Sequence, residues 1–377
     1  MEDKEYMITE NASFGYNNKV VVGNINIKVR RGEILSIIGP NGIGKSTILK
    51  SICNQLAPIS GTIMLDKRCI DEYKGSELAR KLSVLMTERV NPELYTCYDV
   101  VALGRYPYTG RMGALSDNDR NIINESMELV GISNLSDMYF NTLSDGQKQR
   151  AMLARAICQE PDILILDEPT AYLDIKYKLE LLSILKYLAD TKNVAICMTL
   201  HEIDLAYKVS DKVLCIKDND MYRYGEPEDI LTSEYISELY DIKKGSYNYN
   251  AGSVELERAC GKPKVFVIGG NGSGITLYRR LNKKRVPFAA GVLHENDAEY
   301  QIAKALATDV VSESAFECIS AEHIEEAKKY IDECEKVYAC VKTFGSMNKA
   351  NLELIAYARD KNKLCGISGN NSVNNVE

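Results

Sequence analysis

The densest chemistry in this 377-residue chain lies in Gly39-Pro-Asn41-Gly42-Ile-Gly44-Lys45-Ser46-Thr47, directly after the apolar run Ile34 to Ile38. Glycines at this spacing let the backbone turn sharply and aim successive N–H groups at phosphate oxygens. A helix opening at Lys45 adds the positive end of its dipole to the same point. Lys45 is then placed to neutralise the β- and γ-phosphates of a nucleotide, and Ser46 to put a hydroxyl on Mg2+. The bland reading is a glycine-rich strand-to-helix turn that binds nothing, and it leaves the polar residues described next without a purpose.

Ile163-Leu-Ile-Leu-Asp167-Glu168-Pro169 reads as a buried parallel strand, apolar on both faces, that delivers two carboxylates at its C-terminal end. Asp167 would hold the Mg2+ hydration shell. Glu168, one step further on, would accept a proton from the attacking water. A strand-end Asp-Glu could otherwise be an N-cap pair for the next helix.

Between these two sites lies Leu143-Ser144-Asp145-Gly146-Gln147-Lys148-Gln149-Arg150, followed by an amphipathic helix through Ile157. With the phosphate loop and the Asp-Glu strand, this segment resembles the signature motif of ABC ATPases. The resemblance implies ATP and Mg2+ as cofactors and an ATP-hydrolysing activity. It implies that Ser144, Gly146 and Gln147 act on the nucleotide of an opposing subunit, so that a complete site needs a homodimer. It carries over to Tyr16 as a ring stacked on adenine, to Asp174 in the Leu173-Asp174 loop that crosses between subunits, and to His201 as the switch histidine at the γ-phosphate. The phosphate-loop residues Gly39, Asn41, Gly42, Gly44, Lys45, Ser46 and Thr47, with Asp167, complete the implied ATP site. Two positions depart from the pattern. Asp145 replaces a glycine in the signature, and Thr87 stands where a glutamine normally links nucleotide to transmembrane partner. Threonine is too short for that contact, so Glu88 or a bridging water is expected to substitute.

Val101-Ala-Leu-Gly104-Arg105-Tyr106-Pro107-Tyr108, with Tyr95 and Tyr98 before it, is similar to the ATPase subunits of importers for iron-siderophores, haem and cobalamin. Exposed Arg and Tyr side chains here would form a docking surface. This likeness implies integral-membrane permease subunits as partners, a substrate-binding protein acting indirectly, and a place at the cytoplasmic face of the cell membrane. The alternatives are an ATPase for another cargo and a non-transport regulatory ABC protein. The latter class usually carries two ATPase units, whereas one phosphate loop and one signature occur here.

Positioning these residues requires an α/β fold of about two domains. Residues 1–257 are expected to form a RecA-like P-loop core with an inserted helical subdomain and a short antiparallel region carrying Tyr16. Ser253 to Glu257 is expected as its last edge strand, and residues 258–263 as a hinge. Residues 263–377 read as a small Rossmann-like domain, regulatory in role. It opens with the strand and turn Lys264-Val-Phe-Val-Ile268-Gly269-Gly270-Asn271-Gly272-Ser273-Gly274. That loop is expected to receive a small anionic ligand at the following helix start, with Asp297 either facing a ribose or simply charging a helix N-terminus. Composition agrees with this picture. No apolar run reaches the ~18 residues of a membrane span. The 11 cysteines form no C-x-x-C pair, which points to a reducing compartment. With 46 basic and 53 acidic residues the net charge is −7, and no nucleic acid is expected as a partner.

Overall fold

The computed structural model describes residues 5–86, 94–110, 113–248 and 252–367. Thr87 and Glu88, read above as the departure at the usual glutamine position, lie outside the described residues. Packing divides the chain at Tyr240/Asp241 into two compact units.

The first unit is organised by one ten-stranded sheet. Its strands are β1 (Glu5–Tyr16), β2 (Lys19–Arg30), β3 (Ile34–Ile38), β4 (Ser60–Leu65), β5 (Arg68–Cys69), β6 (Leu82–Leu85), β7 (Ile163–Leu166), β8 (Ala195–Thr199), β9 (Lys212–Lys217) and β10 (Asp220–Gly225). They lie in the order β5-β4-β1-β2-β10-β9-β3-β8-β7-β6. β9, β3, β8, β7 and β6 run parallel, while β1 pairs antiparallel with β2 and β4. Every residue of β3, β7 and β8 is buried, which is why these segments read as unbroken apolar runs instead of alternating ones. Each fully buried Ile or Leu adds about 1.5–3 kcal/mol of transfer free energy. The strands therefore fix the carboxyl edge of the sheet where the polar residues emerge.

Between β6 and β7 a helical insertion carries helices Cys97–Ala102, Asp117–Leu129 and Asp145–Cys158. Each starts with a capping box, Thr96/Asp99, Ser116/Asp119 and Ser144/Gln147, in which side chain and backbone satisfy each other's orphan groups. Arg105, expected at the surface, is buried at 3% exposure. Its guanidinium donates to Asp119 Oδ1, Cys158 O and Glu160 Oε2, each at 2.8 Å, so it clamps the insertion instead of facing a partner. The Ser116 hydroxyl and amide, with Arg105 beside them, hold the Asp119 carboxyl down at about 2. The stability this carboxylate contributes is thus present above its ordinary value and is lost as pH falls toward about 2. Tyr108 is half-buried and donates to Gln159 O at 3.0 Å, whereas Tyr106 stays exposed.

The second unit opens with a hairpin, β11 (Ser246–Asn248) and β12 (Ser253–Glu255), and continues with β13 (Val265–Ile268), β14 (Phe288–His294), β15 (Asp309–Glu313), β16 (Lys336–Ala339) and β17 (Leu364–Ile367). The last five form an all-parallel sheet in the order β15-β14-β13-β16-β17. Counted from β13 this is 3-2-1-4-5, the arrangement of a doubly wound sheet. Helices Ile275–Lys283 and Ala298–Leu306 share one core with the sheet, and Ala321–Glu333 with Asn351–Asp360 share another on the opposite face. β15 is not anticipated above: Asp-Val-Val-Ser-Glu is half-buried at the sheet edge, so it lacks the apolar run of the central strands.

The expectation that Ser253 to Glu257 closes the first sheet is corrected. Among the described residues Ser253–Glu255 pairs only with β11, packs against helix Ala298–Leu306, and holds the Glu255 carboxylate against the Arg279 guanidinium. A chain ending at Tyr240 is accordingly expected to melt cooperatively, and one extended to Glu257 to melt within about 2 °C of it. A clearly higher melting temperature for the longer chain, measured by calorimetry, would reassign the hairpin to the first unit.

Candidate functional site

The carboxyl ends of three adjacent strands, β3, β8 and β7, bring the phosphate loop, His201 and the Asp167-Glu168 pair together. After β3 the chain turns through Gly39 at φ +153°, where a Cβ would meet the Ile216 carbonyl oxygen at 2.5 Å. Only glycine lets the loop wrap this closely before the helix Lys45–Ile52 begins. Lys45 is buried, and its ammonium donates to Gly39 O at 2.8 Å and Pro40 O at 3.0 Å. Burial pulls its pKa below the ordinary value, and the carboxylates of Glu168 and Asp167 oppose that shift. The lysine therefore spans the loop through two carbonyl oxygens, with both carboxylates acting on it through space.

Asp167 Oδ1 accepts hydrogen bonds from Ser46 Oγ at 3.2 Å and from Thr199 Oγ1 at 2.8 Å. The same Thr199 oxygen accepts the Glu168 N–H at 2.8 Å. Glu168 takes a left-handed backbone, φ +49°, a conformation that is costly for a side chain of this length and accumulates at functional sites. Its Oε1 lies 2.6 Å from His201 Nε2. Glu202, next in the chain, accepts from Thr170 Oγ1 at 2.9 Å and Lys178 Nζ at 2.6 Å, tying the segment after Glu168 to the segment after His201. Sequence reasoning missed Thr199 and Glu202. The signal for Thr199 was a hydroxyl at the end of an otherwise apolar strand, two residues before His201.

The remaining predicted residues stand elsewhere. Among the described residues, the hydrogen bonds of Ser144, Gln147 and Asp174 stay within their own helix caps. A Cβ on Gly146 would come 3.7 Å from Leu173, and Gln149 donates to Pro169 O at 3.2 Å, so the signature and the Leu173-Asp174 loop are neighbours. Tyr172 and Ile175 beside them are exposed. Tyr16, at the end of β1, is exposed as well. Asn41, Gly42 and Thr47 stay with the phosphate loop and its helix.

In the second unit the anion site expected at Gly269 to Gly274 is already filled from inside. A Cβ on Gly269 would lie 1.9 Å, and one on Gly274 2.2 Å, from Glu299 Oε1. Glu299 is fully buried and accepts from Gly270 N at 3.0 Å and from the Tyr278 hydroxyl at 2.6 Å. Asp297 accepts from Asn271 N and Glu299 N. Two carboxylates of the chain itself thus take the Gly270 and Asn271 amides and put acidic groups against the loop where an anionic ligand was expected. Asp297 also caps the helix Ala298–Leu306.

Residues 22–171 match the family model described as ABC transporter, and residues 288–374 match one described as MJ0874 family. A protein of Methanocaldococcus jannaschii named as an ABC transporter ATP-binding protein is 47% identical over 286 residues, 76% of this chain and 99% of that one. The ferric enterobactin transport ATP-binding protein of Escherichia coli is 32% identical over 62% of this chain and 86% of its own length. A solved dimeric structure of a bacterial ABC transporter cassette superposes with a TM-score of 0.53 at 26% identity, over 59% of this chain and 98% of that one.

Replacing Thr199 by Val keeps the shape but removes one hydrogen bond from Asp167 and leaves the Glu168 amide without its Thr199 acceptor. An unsatisfied buried partner costs about 1–3 kcal/mol, so ATP turnover is expected to fall roughly 5- to 100-fold, with nucleotide affinity changed by less than about threefold. Steady-state hydrolysis and fluorescent-nucleotide titration check this. Unchanged turnover would remove Thr199 from the site.

Proposed function

Because this chain belongs to the ABC transporter ATP-binding proteins, which bind and hydrolyse ATP, we propose that it energises import of an iron chelate, haem or cobalamin through a separate membrane permease. The observation that carries the hydrolytic part is the convergence of Lys45, Asp167, Glu168 and His201 on one sheet edge. In this reading the loop amides and the helix start cradle the phosphates. Lys45 exchanges the Gly39 and Pro40 carbonyls for phosphate oxygens. Glu168 receives the proton of the attacking water, while His201 holds the carboxylate in place and faces the γ-phosphate. Ser46 Oγ and Asp167 Oδ1, 3.2 Å apart, are the hard oxygen donors that suit Mg2+, an ion that keeps several waters and takes one or two carboxylates. Such an ion supplies charge neutralisation on the β- and γ-phosphate oxygens.

Ser144, Gly146, Gln147 and Asp174 are best understood as serving the nucleotide of a second copy, since their own hydrogen bonds stay within their caps. The relative solved as a dimer supports that assembly. Tyr16 is assigned to the adenine. The permease is assigned to the surface around a cleft of about 330 Å³, where Leu94, Tyr95, Leu103 and Tyr106 are exposed. The cargo class rests on the segment Val101 to Tyr108 and on the relative named for ferric enterobactin transport. The chain would then sit at the cytoplasmic face of the membrane, held by the permease. No described helix is long and apolar enough to cross it. Residues 241–377 are assigned a regulatory role.

Glu168→Gln is expected to retain ATP binding and lose at least about 100-fold in turnover, so that ATP-bound dimers accumulate in gel filtration. Lys45→Ala should instead weaken nucleotide binding. Turnover close to the parent level in Glu168→Gln would eliminate Glu168 as the base. Leu103→Asp places a charge in the docking cleft without touching the ATP site. It is expected to abolish co-purification with the permease at unchanged basal hydrolysis, and retained co-purification would move the docking surface elsewhere.

A further inference from the structure

The ATP chemistry does not use a second cleft of about 290 Å³ in the second unit, lined by residues at and beyond the carboxyl ends of β13, β14 and β16. Its place in the sheet is specific. β13 and β16 are neighbours, yet the helix after β13, Ile275–Lys283, packs on one face and the helix after β16, Asn351–Asp360, on the other. The chain parts where the connections diverge, and in doubly wound sheets that crevice at the strand carboxyl ends is where ligands bind.

The lining excludes the usual occupants. Gly270 N and Asn271 N, which would grip a phosphate, donate to Glu299 and Asp297. Among the described residues no Lys or Arg lines the cleft, and Asp297 is the one carboxylate that does. A phosphate here would meet acid without a cation. The cleft also falls at the small end of ligand pockets, too small for a dinucleotide. What remains is a small molecule without phosphate that donates hydrogen bonds. Each oxygen of Asp297 accepts one backbone N–H, from Asn271 or Glu299, and a carboxylate has about four acceptor positions, so a pair of adjacent hydroxyls can still be received.

The loop after β15 carries a flat apolar surface. Phe316 is 77% exposed with φ +66°, a left-handed conformation that a bulky side chain adopts only under constraint. Its loop is pinned to the cleft wall: Glu317 O accepts from His294 Nε2 at 2.9 Å, and Ile319 N donates to Met347 O at 3.1 Å, with His294 and Met347 both lining the cleft. An exposed aromatic ring on a loop pinned to the cleft wall, together with a hydroxyl-accepting carboxylate inside the cleft, matches a sugar joined to a planar base.

We propose that this cleft binds a nucleoside, with the vicinal ribose hydroxyls donating to Asp297 and the base stacked on Phe316. The site is independent of the transport reading above. The full chain, saturated with ADP so that its first unit is filled, is titrated by calorimetry with adenosine, guanosine, cytidine and uridine. At least one is expected to bind once per chain, and its 5′-monophosphate at least about tenfold more weakly. The 2′,3′-dideoxy analogue, which tests Asp297 without altering the protein, should lose about tenfold or more, the worth of hydrogen bonds to a charged group. Phe316→Ala should lose at least about fivefold, the worth of one base–aromatic stack, with an unaltered thermal melt showing that the chain is folded. The proposal is overturned if none of the four binds, if the monophosphate or a dinucleotide binds as tightly, or if either the dideoxy analogue or Phe316→Ala leaves the affinity unaltered.

Discussion

Parallel register between β7 and β8 is the constraint on which the catalytic edge depends. Leu166 pairs with Met198, so the next residues outward, Asp167 and Thr199, come side by side, and the Thr199 hydroxyl reaches both Asp167 and the Glu168 amide. β3 pairs with β8 so that Ile37 lies level with Thr199, which brings the phosphate loop and Ser46 alongside. A slip of one residue would turn Thr199 to the other face of the sheet, away from Asp167 and the Glu168 amide. The buried apolar side chains of all three strands resist such a slip, because it would expose or clash a full row of them.

The two units place a glycine-rich turn at the same point, after a buried parallel strand and before a helix, and use it in opposite ways. Around Gly39 to Gly44 the chain brings a lysine and leaves the loop for a phosphate. Around Gly269 to Gly274 it brings Glu299 from the following βα unit, fully buried under the loop, and Gly269 and Gly274 leave the space which that carboxyl group fills. Burial of such a polar group is tolerable because the Gly270 amide and the Tyr278 hydroxyl both donate to it. The sign of the group under the loop, and not the glycines, decides what the loop can receive.

The helical insertion shows how a polar residue can be structural in a segment that resembles a docking surface. Arg105 satisfies three acceptors from two other segments at once, and a buried guanidinium of this kind is strongly missed when one partner is removed. Its neighbour Tyr106 is left to the solvent. One side chain of the pair holds the insertion together and the other remains available for contact, a division that follows from the direction of each side chain on the short helical turn.

By itself the sequence determined the phosphate loop, the Asp167-Glu168 strand, the signature, and the strand and glycine-rich turn that open the second parallel sheet. These are local patterns: glycine spacing, unbroken apolar runs, capping residues three positions apart. It could not determine Thr199, whose role exists only because β7 and β8 are neighbours in a fixed register although 32 residues separate Thr199 from Asp167. Nor could it place Arg105 inside, since its acceptors Asp119, Cys158 and Glu160 are distant in the chain. It assigned Ser253 to Glu257 to the wrong sheet because an alternating segment specifies a strand but not its partner. It left Gly269 to Gly274 open to an anion because Glu299 enters from 29 residues beyond Gly270. Side-chain type and spacing fix what a segment can do locally, whereas long-range pairing and burial decide which of those capacities is used. That choice was made by the tertiary structure, through register and the need to satisfy every buried charge.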